Sequence, residues 1–131
     1  MRTKGHNFER HIAKKFKELG FPTRTTRAAS TLLDGCGIDL VGTPFIIQCK
    51  AGYEKRRPKF EEEYRYIHDR IFEHFGENHP FKDIPTIIIH QLDAQKGPKG
   101  RKPEDTYVMM TLDDLLKIVE THKFEKILNI W

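Results

Sequence analysis

The sequence predicts an α/β fold, with a mixed central sheet flanked by helices in one domain. Three observations lead there. Apolar residues recur at helical spacing around residues 8–19 and again around 60–75. Between these segments lie two short apolar runs, Gly37 to Val41 and Phe45 to Lys50, joined by a tight Gly42-Thr43-Pro44 turn. Later, Ile84 to His90 is almost continuously apolar, as suits a strand covered on both faces. With 131 residues, 37% hydrophobic and 32% charged, the chain can bury a core without staples.

The elements follow in order. The first helix begins near Lys4 and stops at Gly20, with Phe8, Ile12, Phe16 and Leu19 on one stripe and Glu9 at its border. Pro22 to Thr26 reads as a strand of β-branched and basic residues, and Ala28 to Gly35 as a connecting loop. The hairpin comes next, then a basic linker framed by Gly52 and Pro58. A second helix spans about Phe60 to Phe75, with Phe60, Tyr64, Ile67, Ile71 and Phe75 on its inner stripe and Gly76 after it. The apolar strand at 84–90 is followed by a Gly/Pro-rich basic loop around 95–103. Thr106 to Met110 is the last strand. Thr111 caps a third helix, reaching about Thr121, with Asp113 and Asp114 in its first turn.

The hairpin carries the chemistry. Two-residue alternation puts Gln48 and Lys50 on one face of their strand and Cys49 on the other. With Asp39 on the partner strand, a carboxylate, an amide oxygen and an ammonium group converge. Such groups can hold a divalent cation beside a phosphodiester. Asp34, directly before Gly35, reads as a turn residue instead.

Net charge is +4, unevenly placed. Residues 1–27 hold eight basic groups against Glu9 and Glu18, and residues 50–59 hold Lys50, Lys55, Arg56, Arg57 and Lys59 against Glu54. Clusters of this kind neutralise phosphates and give salt-sensitive affinity for nucleic acid. Cys36 and Cys49 are too few for a zinc site and suit a reducing compartment. The seven histidines are scattered, and none is assigned as a ligand. No apolar run reaches the roughly 20 residues needed to cross a bilayer, and no secretory signal is apparent. The expected location is therefore the cytoplasm, with nucleoid association or a viral origin open.

Asp39 followed by Gln48-Cys49-Lys50, with Glu9 on the preceding helix, resembles the PD-(D/E)xK nuclease core, with Gln in place of the usual Glu. The opening Lys4-Gly5-His6-Asn7-Phe8-Glu9-Arg10, with Gly20-Phe21, Arg24, Arg27 and Ser30 after it, is similar to archaeal-type Holliday-junction resolvases, including those carried by viruses. The resemblance spans residues 4 to 50 and fades afterwards. It implies a restriction-endonuclease-like core and a metal-dependent, structure-selective DNA endonuclease that resolves four-way junctions by paired nicks.

The resemblance assigns Glu9, Asp39, Gln48 and Lys50 as catalytic, and the first three with the Cys49 carbonyl as ligands of Mg²⁺ or Mn²⁺. Lys50 would orient or activate water, or stabilise transition-state charge. Lys4, Arg10, Arg24, Arg27, Ser30, Arg56 and Arg57 would contact branched DNA. Gln48 departs from the pattern, since a neutral amide binds a cation more weakly than a carboxylate does. Paired nicks imply a homodimer, with the apolar tail Phe124 to Trp131 as its expected contact. Two readings stay open beside this one: a related nuclease acting on flaps, nicks or ends, and an inactive nucleic-acid-binding module.

Overall fold

The computed structural model describes residues 2–51, 57–91 and 106–122. The Gly/Pro-rich basic loop, Arg56 and the C-terminal tail lie outside them. The fold is α/β, with a five-stranded mixed sheet flanked by helices. Helix α1 (Arg2–Glu18) is followed by strand β1 (Arg24–Thr25), two short helices, α2 (Thr26–Ala29) and α3 (Thr31–Gly35), and strands β2 (Leu40–Val41) and β3 (Ile46–Ala51). Helix α4 (Phe60–Phe75), strands β4 (Thr86–Gln91) and β5 (Thr106–Met109), and helix α5 (Leu112–Thr121) complete it. The strands lie side by side in chain order. Only β3 and β4 run parallel, paired from Ile46↔Thr86 to Ala51↔Gln91. The intervening α4 supplies the crossover such a pair requires.

The sheet divides the core in two. On one face Phe8, Ile12 and Ala13 of α1 pack on Leu40, Ile47, Ile87 and Ile89. On the other, Ile67 and Ile71 of α4 pack on Cys36, Ile38 and Ile46. Alternation along β3 accounts for the split: Ile47 faces α1, and Ile46 faces α4. Every residue of β4 is buried, as its continuous apolar run requires. Thr111 caps α5 by accepting the Asp114 N–H at 3.0 Å. Asp114 does not stay in solvent as a first-turn acid. It is buried, and its Oδ2 accepts the Thr86 N–H at 3.0 Å, tying α5 to the start of β4.

Four expectations are corrected. The strand at 37–41 shrinks to Leu40–Val41, which leaves Asp39 just ahead of it. The strand at 22–26 shrinks to Arg24–Thr25, because Thr26 turns inward. Its N–H donates to the Asp39 carbonyl at 2.9 Å and its hydroxyl to the Ile38 carbonyl at 2.7 Å. The loop at 28–35 is largely helical: Ser30 accepts the Leu33 N–H at 3.3 Å and so caps α3. Leu19 is 75% exposed, because α1 ends at Glu18 before its stripe extends that far.

Candidate active site

The site forms where β2 parts from β3. Leu40↔Ile47 is the one register pair between them. The Asp39 N–H donates to the Ile47 carbonyl at 2.8 Å, and Asp39 Oδ2 accepts the Cys49 N–H at 2.7 Å. A carboxylate thus takes over the ladder where the backbone of β2 turns away. Desolvation raises the Asp39 pKa to about 7; the Cys49 N–H and the Lys50 charge oppose the rise, while Glu9 and Asp34 add to it. Asp39 therefore lies within electrostatic reach of Glu9, Asp34 and Lys50.

Glu9 is buried on α1 and bound by Arg27. Arg27 Nε donates to Oε2 at 3.0 Å and Nη2 to Oε1 at 3.3 Å, a two-pronged pair. Thr26, pinned to the residues beside Asp39, is what brings Arg27 over Glu9. The pair holds the Arg27 guanidinium still more firmly in its charged form, and the charges of Asp34 and Asp39 contribute. Asp34 is thus no remote turn residue: its Oδ1 lies 3.3 Å from the Thr26 hydroxyl, whose proton goes to the nearer Ile38 carbonyl. The sequence reading missed it because the helical character of 31–35 was not legible.

Gln48 and Lys50 occupy the α4 side of the sheet. Gln48 is 4% exposed. It fills the space over Gly37, where a Cβ would come within 3.2 Å of the Gln48 amide nitrogen and of Tyr66. With φ at +81° as well, that position demands glycine. Gln48 Oε1 is buried and lacks a hydrogen-bond partner among the described residues. Lys50 Nζ reaches Glu63 Oε2 of α4 at 3.6 Å. In the ladder Lys50 lies in register with His90, whose buried Nε2 also lacks a partner among the described residues. Burial, reinforced by the charge of Arg57, shifts His90 toward its neutral form.

The structure therefore brings Glu9, Asp39, Arg27 and Asp34 together, with Gln48 and Lys50 following on β3 and Lys50 in electrostatic reach of Asp39. Cys49 contributes its N–H. Desolvation pushes its thiol well above the ordinary range, so it is no thiolate ligand. Among the described residues, no three His, Cys, Asp or Glu side chains converge to hold a metal. A cation here would need the Gln48 amide oxygen, backbone carbonyl and water beside the carboxylates, and Mg²⁺ commonly keeps several waters. The unpartnered Gln48 acceptor and Asp39, which has a backbone N–H but no ion pair among the described residues, fit that requirement. Glu9 fits it once Arg27 moves.

Of the expected DNA contacts, Lys4 lies in α1. Arg10, Arg24, Arg27 and Arg57 are exposed, and Ser30 is engaged as a helix cap. Comparison of the chain with protein-family models, curated proteins and solved structures gives no significant match. No described helix is long and apolar enough to cross a membrane.

Proposed function

We propose that the chain is a divalent-cation-dependent DNA endonuclease with a restriction-endonuclease-like core, acting on four-way junctions. The observation that carries the reading is the notch between β2 and β3. There a desolvated carboxylate, Asp39, stands near a buried Glu9 and a lysine, next to a strand that also carries the unsatisfied amide oxygen of Gln48. Glu9, Asp39, Gln48 and the Cys49 carbonyl are the groups that would hold Mg²⁺ or Mn²⁺. A bound cation supplies charge stabilisation at the phosphoryl oxygens and a more acidic water.

The chain's own residues do the rest. Asp39, tied to the Cys49 N–H, presents its other oxygen at a fixed position. Lys50, tethered to Glu63, keeps an ammonium at the end of β3 for the developing charge. Arg10, Arg24 and Arg57 are exposed and would add positive charge for a phosphate backbone. Nicking of four-way, flap and linear duplex substrates with Mn²⁺ tests the reading. Preference for the junction supports resolvase action, whereas preference for flaps or ends favours the related nuclease. Binding without any cation-dependent nicking leaves the inactive module, the reading favoured by the closed Glu9–Arg27 pair.

A second copy completes the proposal. Leu112, Leu115, Leu116 and Val119 form one exposed stripe on α5. Such a surface suits burial against a twin. Sedimentation at micromolar protein checks it, since a monomer both free and with junction bound removes the dimer from the reading.

A further inference from the structure

A cleft of about 350 Å³ opens beside the Glu9–Arg27 pair, lined by His6, Glu9, Arg10, Thr25, Arg27 and Ala28. His6, Glu9 and Arg10 come from one stripe of α1, three and four residues apart, so helical geometry alone aims them at the same space. His6 Nε2 is buried without a hydrogen-bond partner among the described residues. Arg27 reaches over from the other wall. Its side chain keeps 43% exposure, whereas the carboxylate it binds keeps 5%. The guanidinium thus covers a buried acid from the solvent side, in the field of two further acids, Asp34 and Asp39.

Such a cleft has the makings of an anion site whose best donor is already engaged. A guanidinium fork matches two phosphate oxygens as well as it matches a carboxylate. We propose that the cleft binds a backbone phosphodiester, held by His6 Nε2–H and Arg10, and that Arg27 passes to it from Glu9, leaving Glu9 to a divalent cation. The inference rests on the nuclease reading for the cation and deepens it by naming the phosphate contact and the exchange.

The physics makes the two ligands help each other. Glu9 stripped of Arg27 is a buried, uncompensated charge, which is strongly unfavourable. Arg27 therefore stays in place until a cation replaces it. Phosphate in turn competes with Glu9 for Arg27. Each ligand removes the other's competitor, so DNA and cation bind with positive and reciprocal coupling. Arg27 stands in for the cation in the free protein, which keeps the acidic centre closed until both arrive.

The test uses two separate titrations on the full chain. Mn²⁺ binding is measured without DNA by electron paramagnetic resonance, and junction binding is measured in EDTA by fluorescence anisotropy at several salt concentrations. Arg27→Gln is expected to bind Mn²⁺ about fivefold or more tightly than the parent. In the second titration the same variant is expected to bind junction about tenfold more weakly, with a salt slope smaller by about one. Opposite signs in one variant are the signature, because a merely structural arginine moves both affinities the same way or neither. His6→Ala is expected to weaken the junction complex and leave Mn²⁺ affinity as it was. Arg27→Lys, which keeps charge but loses the fork, is expected to fall between and covers the case in which Arg27→Gln folds poorly.

Mn²⁺ affinity unchanged in Arg27→Gln overturns the exchange while leaving the nuclease reading in place. No Mn²⁺ bound by either protein overturns that reading and the exchange with it. Junction binding indifferent to both His6→Ala and Arg27→Gln removes the phosphodiester site.

Discussion

On the α1 side of β3, the buried carboxylate of Glu9 is answered by Arg27 through two hydrogen bonds, at 3.0 and 3.3 Å. On the α4 side, the amide oxygen of Gln48 is equally buried and has no partner among the described residues. The difference follows from charge. A buried ion without a partner is too costly to keep, whereas a buried neutral acceptor without one costs about 1–3 kcal/mol and is tolerated. The charged side is therefore closed in the free protein and must rearrange to accept a ligand. The neutral side needs no partner displaced, although its acceptor is buried, with the Gln48 amide nitrogen packed by Gly37. Asp39 stands between them, its desolvation only partly relieved by the Cys49 N–H and the Lys50 charge.

The comparison can be broken most decisively at Asp39 through pH. Its folded pKa, about 7, lies above the ordinary value of 3.8, so the folded state retains a proton that the unfolded chain has lost. Stability is therefore expected to fall as pH rises from about 4 to 7, by on the order of 3–4 kcal/mol, and to level off above that. Urea unfolding in EDTA from pH 4 to 8 reads it directly, and Asp39→Asn is expected to remove this component of the slope. An unchanged slope in that variant would show that Asp39 is not the group held protonated.

The same substitution sharpens the functional side. Asparagine still offers an oxygen to the Cys49 N–H, so the fold is kept while the charge is lost. Junction cleavage is expected to drop by more than about a hundredfold, with junction binding in EDTA preserved. Full nicking activity in Asp39→Asn would dissolve the site assignment.

A smaller effect probes the neutral side alone. Gln48→Met removes the unpaired acceptor at similar volume, so stability is expected to rise by about 1 kcal/mol while cleavage falls. Denaturant midpoints and nicking rates measured together decide it: a destabilised variant would mean that Gln48 is satisfied in the folded chain.

The smallest change is Glu63→Gln, which releases Lys50. That ion pair is about a quarter exposed on each side, so the stability loss is expected to stay under about 1 kcal/mol. Thermal unfolding checks the value. A loss several times larger would make Lys50–Glu63 a structural element of the α4 face, not a tether for a reactive lysine.

Much of the frame was legible in the chain before any coordinates. Helical spacing announced the segments of Phe8 and Ile67, and Gly76 marked the end of α4. The apolar run at 84–90 declared itself central, and Thr111 declared itself a cap. Alternation in Ile46 to Lys50 correctly separated Gln48 and Lys50 from Cys49. These are local properties, written in periods of two residues or one helical turn, and local sequence carries them.

What lay beyond reach depends on contacts between distant residues. No local signal says that Thr26 gives its N–H to Asp39 thirteen residues on, and this contact converts an expected strand into the helix that delivers Arg27. Nor does the sequence say that Arg27 will meet Glu9, eighteen residues earlier, on another helix. His6 was within reach, since it shares a stripe with Glu9 and Arg10, but a stripe alone does not reveal the wall opposite. By itself the sequence determined which groups were available: a glutamate on the first helix, an aspartate on the first arm of the hairpin, and Gln-x-Lys on the second. Only the tertiary structure decided which of them are paired and which left bare, because desolvation and partnership exist only once the sheet has closed over the helices.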